Sequence, residues 1–185
     1  MVTPVSGVWC PDTNRHSRLV HRARAVAASV TDPELPMLTL ADLGVLRDVR
    51  VDGRSVTVSI TPTYSGCPAM DAMHDDLRAA LAGAGFDDVR IDVVLHPAWT
   101  TDWITDAGRR KLASAGIAPP GTAPSPRRRQ SGPIPLTLTP PARRVPCPRC
   151  GSEDTEQTSE FSATACKALR RCRACREPFE HVKEI

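Results

Sequence analysis

The sequence lacks the features that mark several large classes of protein. It has no run of eighteen apolar residues, so we expect no transmembrane helix. Its first residues lack the basic start and apolar core of a signal peptide. Aromatic residues make up only 4% of the chain, which leaves few stacking platforms for single-stranded nucleic acid. We therefore expect neither a membrane partner nor a nucleic-acid partner.

Motifs of an independent catalyst are missing as well. The chain has no glycine-rich phosphate loop, no paired histidine and carboxylate metal motif, and no convincing pair of nucleophile and base. Whether the protein is an enzyme stays open on these grounds, and a non-catalytic accessory role fits them better.

What the chain does contain is seven cysteines. Without a secretory signal, they indicate a reducing compartment, here the cytoplasm, and metal or thiol chemistry. Four of them form two Cys-x-x-Cys pairs near the C-terminus: Cys147, Cys150, Cys172 and Cys175. Four thiolates at this spacing can surround one soft cation. Zn²⁺ fits best, and mononuclear iron, an iron–sulfur cluster or disulfides remain alternatives.

Charge is distributed unevenly along the sequence. The net charge is only +3, but residues 119–185 hold twelve Lys and Arg against seven Asp and Glu. A basic C-terminal part can meet an acidic protein face or nucleic acid, and it can equally be a solvated surface.

The first part of the chain predicts a small α+β domain over residues 17–118. Apolar residues at helical spacing follow Ser17, which we take as the N-cap of a helix that ends near Thr31. Two alternating runs joined at Asp52-Gly53 predict a β-hairpin. The order continues with a helix that ends at Gly85, a strand whose inward residues are Val89, Ile91, Val93 and Leu95, and a helix over 101–115. The expected order is thus helix, strand, strand, helix, strand, helix.

The remaining segments complete the expected organisation. Residues 1–16 have no period and predict a flexible leader, in which Cys10 is incidental. Half of the eighteen prolines fall between 119 and 146, so residues 119–145 predict an extended linker. Residues 146–185 predict a four-cysteine ribbon with a hairpin between its cysteine pairs. The ribbon has few large apolar residues, so metal binding should supply most of its folding free energy.

A loop in the first domain, Thr61 to Pro68, carries the second candidate site. It joins a strand to a helix, and Cys67 lies at or just before the predicted helix N-terminus. The helix dipole there favours a thiolate, and Gly66 permits close approach of a ligand. Cys67 is thus a reactive or metal-binding thiolate, or else a half-buried structural cysteine. Asp32 and Glu34 could serve it as acid, base or hard ligands, or could simply form a turn.

Cys166 is the odd thiol between the two cysteine pairs of the ribbon. It stands in Thr164-Ala165-Cys166-Lys167. It could replace a metal ligand, belong to a second functional loop, or be a buried cysteine of the ribbon.

These motifs resemble known families. Three motifs of the first domain resemble the small domain of SufT-type and cytosolic iron–sulfur assembly factors. They are Asp32-Pro33-Glu34, Leu43-Gly44-Val45 and the run Thr61-Pro62-Thr63-x-x-Gly66-Cys67-Pro68. The tail, with Thr164-Ala165-Cys166-Lys167 and its cysteine pairs, resembles the ribbon of the PaaD family, which belongs to the phenylacetyl-CoA epoxidase system of bacterial phenylacetate degradation.

The resemblance implies a role in building an iron or iron–sulfur centre for that epoxidase. It implies that Cys67 is the functional thiolate that transiently holds iron or a cluster, with Asp32 and Glu34 in its neighbourhood, and that the ribbon holds zinc. Thr61, as a hydroxyl donor, and Gly66 are further candidates beside Cys67 from the loop itself. The roles of Cys166 and Lys167 stay open. The expected partners are the oxygenase or reductase subunits, and a homo-oligomer remains open. The alternative is a docking or regulatory subunit that needs no chemistry at Cys67.

Overall fold

The computed structural model describes residues 12–64, 66, 69–122 and 144–185. It confirms the predicted α+β architecture, with a three-stranded sheet in the first domain and a second three-stranded sheet in the ribbon. Within the described residues, no helix has the length and apolar character that crossing a membrane requires.

The first helix, α1, spans Asp12–Ser29 and so begins five residues before the predicted start at Ser17. Residues 14–17 are exposed, and the buried positions on α1 are Ala23 and Ala27. Apolar spacing detects only the part of a helix that faces the core, so the exposed residues 14–17 gave no signal. Residues 12–16 are therefore helical, which corrects that part of the predicted leader.

The predicted hairpin is confirmed. Strand β1 spans Leu46–Asp52, β2 spans Ser55–Ile60, and the two pair antiparallel with Val51 opposite Val56. Gly53 in the turn has φ of 60°, a conformation that favours glycine. The inward residues Val56, Val58 and Ile60 are almost fully buried.

Helix α2 spans Ala69–Gly83, and strand β3 spans Asp88–Val93. Strand β3 pairs parallel to β2, which places it at the edge of the sheet in the order β1-β2-β3. The prediction that Val93 and Leu95 point inward is wrong, because they are 46% and 64% exposed. Alternation predicts which residues share a face, but it does not show how far the covering layer extends.

The predicted helix over 101–115 is divided. A 3-10 turn spans Thr101–Trp103, and α3 spans Asp106–Ser114. Thr105 has extended backbone angles and caps α3, because its side chain accepts a hydrogen bond from the N–H of Gly108. The cap separates the two pieces, and α3 ends before Gly116, as predicted.

The ribbon consists of β4 (Thr155–Ser159), β5 (Lys167–Cys172) and β6 (Pro178–Val182), paired antiparallel in that order. The hairpin of β4 and β5 lies between the two cysteine pairs, as predicted. Residues 123–143, which include most of the predicted linker, are outside the described part of the chain.

The ribbon packs directly on the first domain. Ala118 pairs with β6, donating its N–H to the carbonyl of Glu180 and accepting the N–H of Val182. The N–H of Thr101 donates to the carbonyl of Ile185, and Val182 joins the hydrophobic core of the first domain. These contacts bring the loop that contains Cys166 close to the first domain.

Candidate metal centre and interface cavity

The four cysteines of the ribbon form one cluster. The sulfur atoms of Cys147, Cys150, Cys172 and Cys175 all lie within 4.8 Å of one another. The Cys147 and Cys175 sulfurs are 3.7 Å apart, and those of Cys150 and Cys172 are 3.6 Å apart. Such a group of four thiols fits a single tetrahedral metal ion and leaves no open coordination position. The cluster is a metal-binding site.

The local backbone of the cluster orients its sulfurs toward one another and stabilises one thiolate. Each pair sits at a tight turn, so that its two sulfurs face the other pair, and the N–H of Cys175 points at the sulfur of Cys172 at 3.5 Å. This hydrogen bond is the main reason that the pKa of Cys172 falls to about 7. One thiolate is therefore available near neutral pH, and a bound metal would deprotonate the others.

Cys166 does not belong to the cluster. It lies in a tight turn before β5, where the N–H of Lys167 donates to the carbonyl of Thr164. Its own carbonyl accepts the N–H of Lys183, and its sulfur lies 3.1 Å from the hydroxyl of Thr164. Burial raises the pKa of the Cys166 thiol above its ordinary value. The turn directs this thiol toward the first domain.

Lys167 has a different environment from its neighbour. It is 5% exposed, and its ammonium group lies 2.8 Å from the Glu180 carboxylate on β6. Ser162 donates its hydroxyl to the other oxygen of Glu180. The ion pair therefore fixes the base of the turn that carries Cys166. Sequence reasoning missed Glu180, because only the register of β5 and β6 brings it to Lys167.

Asp32 and Glu34 form a rigid turn on the first domain. One carboxylate oxygen of Asp32 accepts the N–H groups of both Glu34 and Leu35 at 2.8 Å. Asp32 is only 6% exposed, and this burial raises its pKa even though the two hydrogen bonds oppose the change. The Asp32 side chain thus stabilises the turn and also faces a cavity between the domains.

Described residues of that interface line two adjoining cavities. The larger, of about 190 Å³, is lined by Glu34, Thr63, Gly66, Cys166 and their neighbours. A smaller one, of about 20 Å³, shares Glu34, Thr63 and Cys166 with it and adds Asp32. The Glu34 carboxylate has neither an ion pair nor a side-chain hydrogen bond to the described residues. The fold therefore brings Asp32, Glu34, Gly66 and Cys166 together.

Two other predicted residues of this site are Thr61, which the structure describes, and Cys67, which it does not. Thr61 is 1% exposed, and its hydroxyl has no hydrogen-bond partner among the described residues. Cys67, the predicted functional thiolate, lies outside the described residues, although it follows Gly66 directly in the sequence.

The positive charge of the ribbon is partly balanced by its own carboxylates. Arg144 pairs with Glu153, Arg149 with Glu177, and Arg173 with Glu156, at 3.0, 3.3 and 2.8 Å. These pairs are exposed and contribute little stability. They do reduce the field that a polyanion would encounter.

Comparison with known proteins connects both halves of the chain to known families. Residues 22–93 match the family described as "Iron-sulfur cluster assembly protein", and residues 132–183 match the "PaaD zinc beta ribbon domain". Together with the fold and the cysteine cluster, these matches define an iron–sulfur assembly-type domain joined to a metal-binding ribbon.

A relative from Escherichia coli (strain K12) is 43% identical over 166 residues, covering 90% of this chain and 93% of its own length. Its name describes it as one of the subunits of a "Putative 1,2-phenylacetyl-CoA epoxidase". The chain belongs to the PaaD family, and the predicted resemblance is confirmed.

Two further matches concern the first domain. A "Fe-S protein maturation auxiliary factor" from Porphyromonas gingivalis (strain ATCC BAA-308 / W83) is 36% identical over 87 residues, covering 45% of this chain and 81% of its own length. A domain of unknown function, DUF59, from Bacillus anthracis superposes with a TM-score of 0.50 at 22% identity, covering 54% of this chain and 96% of that structure. The second match supports the fold of the first domain.

Proposed function

We propose that this protein is an accessory protein of a phenylacetyl-CoA epoxidase system, and that it acts in maturation of an iron or iron–sulfur centre of that complex. The relatives support the proposal, because one is named as an epoxidase subunit and another as an iron–sulfur maturation factor. The epoxidase oxygenase and reductase subunits are the proposed partners, and the cytoplasm is the proposed location.

The observation that carries the proposal is the set of donors around the interface cavity. Glu34 and Gly66 line it, Asp32 faces its smaller neighbour, and Cys67 follows Gly66 in the sequence. A thiolate suits iron, and a carboxylate suits the harder character of Fe²⁺. In this proposal Cys67 transiently holds the iron or cluster and then releases it to a client subunit.

The ribbon has a separate role in the proposal, with Zn²⁺ as its metal. Its four thiols already close a tetrahedron, so the metal there is structural and has no open position for exchange. The zinc holds the ribbon in shape, and the ribbon in turn packs on the first domain through β6.

A docking or regulatory subunit is the second candidate function. It is favoured by two exposed aromatic side chains, Tyr64 beside the cavity and Phe161 in the ribbon, which are 52% and 61% exposed. Aromatic residues are enriched where proteins bind one another. This function would need the ribbon surface but no thiol chemistry at Cys67.

The two functions are separated by producing the epoxidase with Cys67→Ser or with Cys10→Ser as the matched control. Maturation predicts that Cys67→Ser lowers the iron content and activity of the epoxidase while the protein still associates with the complex. Normal iron and activity with Cys67→Ser, together with loss of association in a Phe161→Ser variant, would instead favour the docking function.

A further inference from the structure

We propose that the ribbon supplies a ligand to the iron cargo: the thiolate of Cys166 binds iron at the interface cavity together with the carboxylate of Glu34. This inference rests on the proposed function in taking iron as the cargo. It adds that the binding site is built from both domains, so that the ribbon takes part in metal holding beyond any docking role.

The first argument is geometric. Glu34 approaches the cavity from a turn fixed by the two hydrogen bonds to Asp32. Cys166 approaches it from the ribbon, in a turn fixed by backbone hydrogen bonds and by the buried pair of Lys167 and Glu180. The cavity of about 190 Å³ has room for a metal ion with several waters, since about 10–15 Å³ of such volume is enough to hold one water. Both ligands thus come from rigid supports, one on each domain, and line the same cavity.

The second argument is electrostatic. Burial raises the pKa values of Asp32, Glu34 and Cys166. The negative charge of Asp32 raises the pKa of Glu34 further, and the negative charge of Glu34 raises the pKa of Cys166. The ammonium group of Lys167 opposes all three changes, but it is already paired with Glu180. Lys183 also lines the smaller cavity, with its ammonium nitrogen 4.1 Å from the centre of the Phe161 ring. Three potential anions, Asp32, Glu34 and Cys166, stand against this one lining cation. A bound divalent cation would relieve this imbalance.

The third argument concerns how firmly the metal is held. Within the described residues, the four cysteines of the ribbon are the only group that brings three or more ligand atoms within 4.8 Å of one another. Asp32, Glu34 and Cys166 do not form such a group, so the described residues offer no preformed site of three ligands at the cavity. Such a site binds more weakly than the preformed cluster, which suits a metal that must be released.

Binding at this site changes the protonation of one group. The pKa of Cys166 lies above its ordinary value, so the free group is a thiol at neutral pH. Formation of the iron–sulfur bond displaces this proton to solvent, and the oxidation state of Fe²⁺ does not change. The affinity for iron should accordingly increase as the pH rises.

The test uses the full chain with its ribbon metal loaded, under anaerobic conditions, with Fe²⁺ as the probe. The dissociation constant is measured by competition with a chelator for the wild type, Cys166→Ser, Cys67→Ser and Cys10→Ser. We expect at least about a tenfold loss of affinity for Cys166→Ser, with unchanged zinc content, and none for Cys10→Ser. Wild-type affinity in Cys166→Ser would overturn the inference.

The variants also separate this inference from the proposed function. Loss of iron binding in Cys67→Ser but not in Cys166→Ser would overturn the role of Cys166 and leave maturation intact. Loss in Cys166→Ser but not in Cys67→Ser would support Cys166 and overturn the role given to Cys67. If neither variant loses iron binding, both proposals are wrong.

A second measurement needs no variant, which matters if Cys166→Ser folds poorly. The wild type is alkylated with iodoacetamide with and without Fe²⁺, and each cysteine is followed by peptide mass spectrometry. We expect Fe²⁺ to slow alkylation of Cys166 at least about tenfold and to leave Cys10 unchanged. Equal rates at Cys166 with and without Fe²⁺ would contradict the proposed ligand.

Discussion

The ammonium nitrogen of Lys167 lies 2.8 Å from a carboxylate oxygen of Glu180, and the two side chains are only 6% and 26% exposed. This ion pair joins β5 to β6 at the end of the ribbon that meets the first domain. The positive charge of Lys167 also acts on Asp32 across the interface, where it favours the ionised carboxylate. A single pair inside the ribbon therefore acts on both sides of the cavity.

Replacement of Lys167 by Met should destabilise the protein, because Glu180 would stay partly buried without its partner. We expect a loss of about 2 kcal/mol in the free energy of unfolding. This is less than the loss of about 3–5 kcal/mol that follows removal of one partner from a fully buried ion pair, because Glu180 retains some exposure. Denaturant unfolding with the ribbon metal bound measures the change. The double variant Lys167→Met with Glu180→Leu should recover part of the loss. A single variant as stable as the double one would show that the pair is unimportant.

Removal of the ribbon metal should affect both domains. Apparent binding free energies of structural zinc are about 10–16 kcal/mol in small zinc domains, so Cys172→Ala should release the metal and unfold the ribbon. The amides of Ala118 and Thr101, which donate to the carbonyls of Glu180 and Ile185, should then exchange faster with solvent. Hydrogen exchange and metal analysis test this expectation.

The control for that experiment is Cys10→Ser, because Cys10 lies outside the ribbon in the sequence. An unchanged metal content in Cys172→Ala would contradict the four-cysteine site. Normal protection of Ala118 and Thr101 in a metal-free ribbon would contradict the coupling between the domains.

Replacement of Glu34 by Gln should stabilise the iron-free protein at neutral pH. Burial and the charge of Asp32 raise the pKa of Glu34, which means that its ionisation costs folding free energy above its ordinary pKa of 4.5. The gain should be full above the raised pKa and should shrink as the pH falls toward 4.5, because the wild-type side chain then becomes protonated too. Thermal unfolding at several pH values, with the ribbon metal retained, measures the difference. A gain that grows as the pH falls would have the wrong sign.

Gly44 lies where a side chain cannot fit. Its φ is 70°, and a Cβ atom there would lie 2.6 Å from the Cβ and carbonyl oxygen of Trp103. We expect Gly44→Ala to lower the free energy of unfolding by about 2 kcal/mol or more. Gly83→Ala, which meets nothing within 4 Å at the end of α2, is the matched control, with a gain of at most about 1 kcal/mol. Equal stability of the two variants would contradict the close contact.

Several features of this protein could be predicted from the sequence because their signals are local. The spacing of Cys147, Cys150, Cys172 and Cys175 indicates one metal site, since two tight turns fix which sulfurs can meet. The hairpin of β1 and β2 follows from alternation on both sides of Asp52-Gly53. The helix face of Met73, Leu77 and Leu81 follows from its spacing.

Other features depend on contacts between residues that are distant in the sequence. Alternation alone placed Val93 and Leu95 inward, although they are exposed in the structure, and the exposed residues 14–17 of α1 gave no apolar signal. The partner of Lys167 depends on the register of β5 and β6. The meeting of Cys166 with Glu34 depends on the docking of the ribbon, in which Ala118 and Val182 join the two domains. The sequence thus determined the elements and the metal ligands, whereas the interface cavity was decided by the tertiary structure, because packing between domains leaves no periodic pattern in either one.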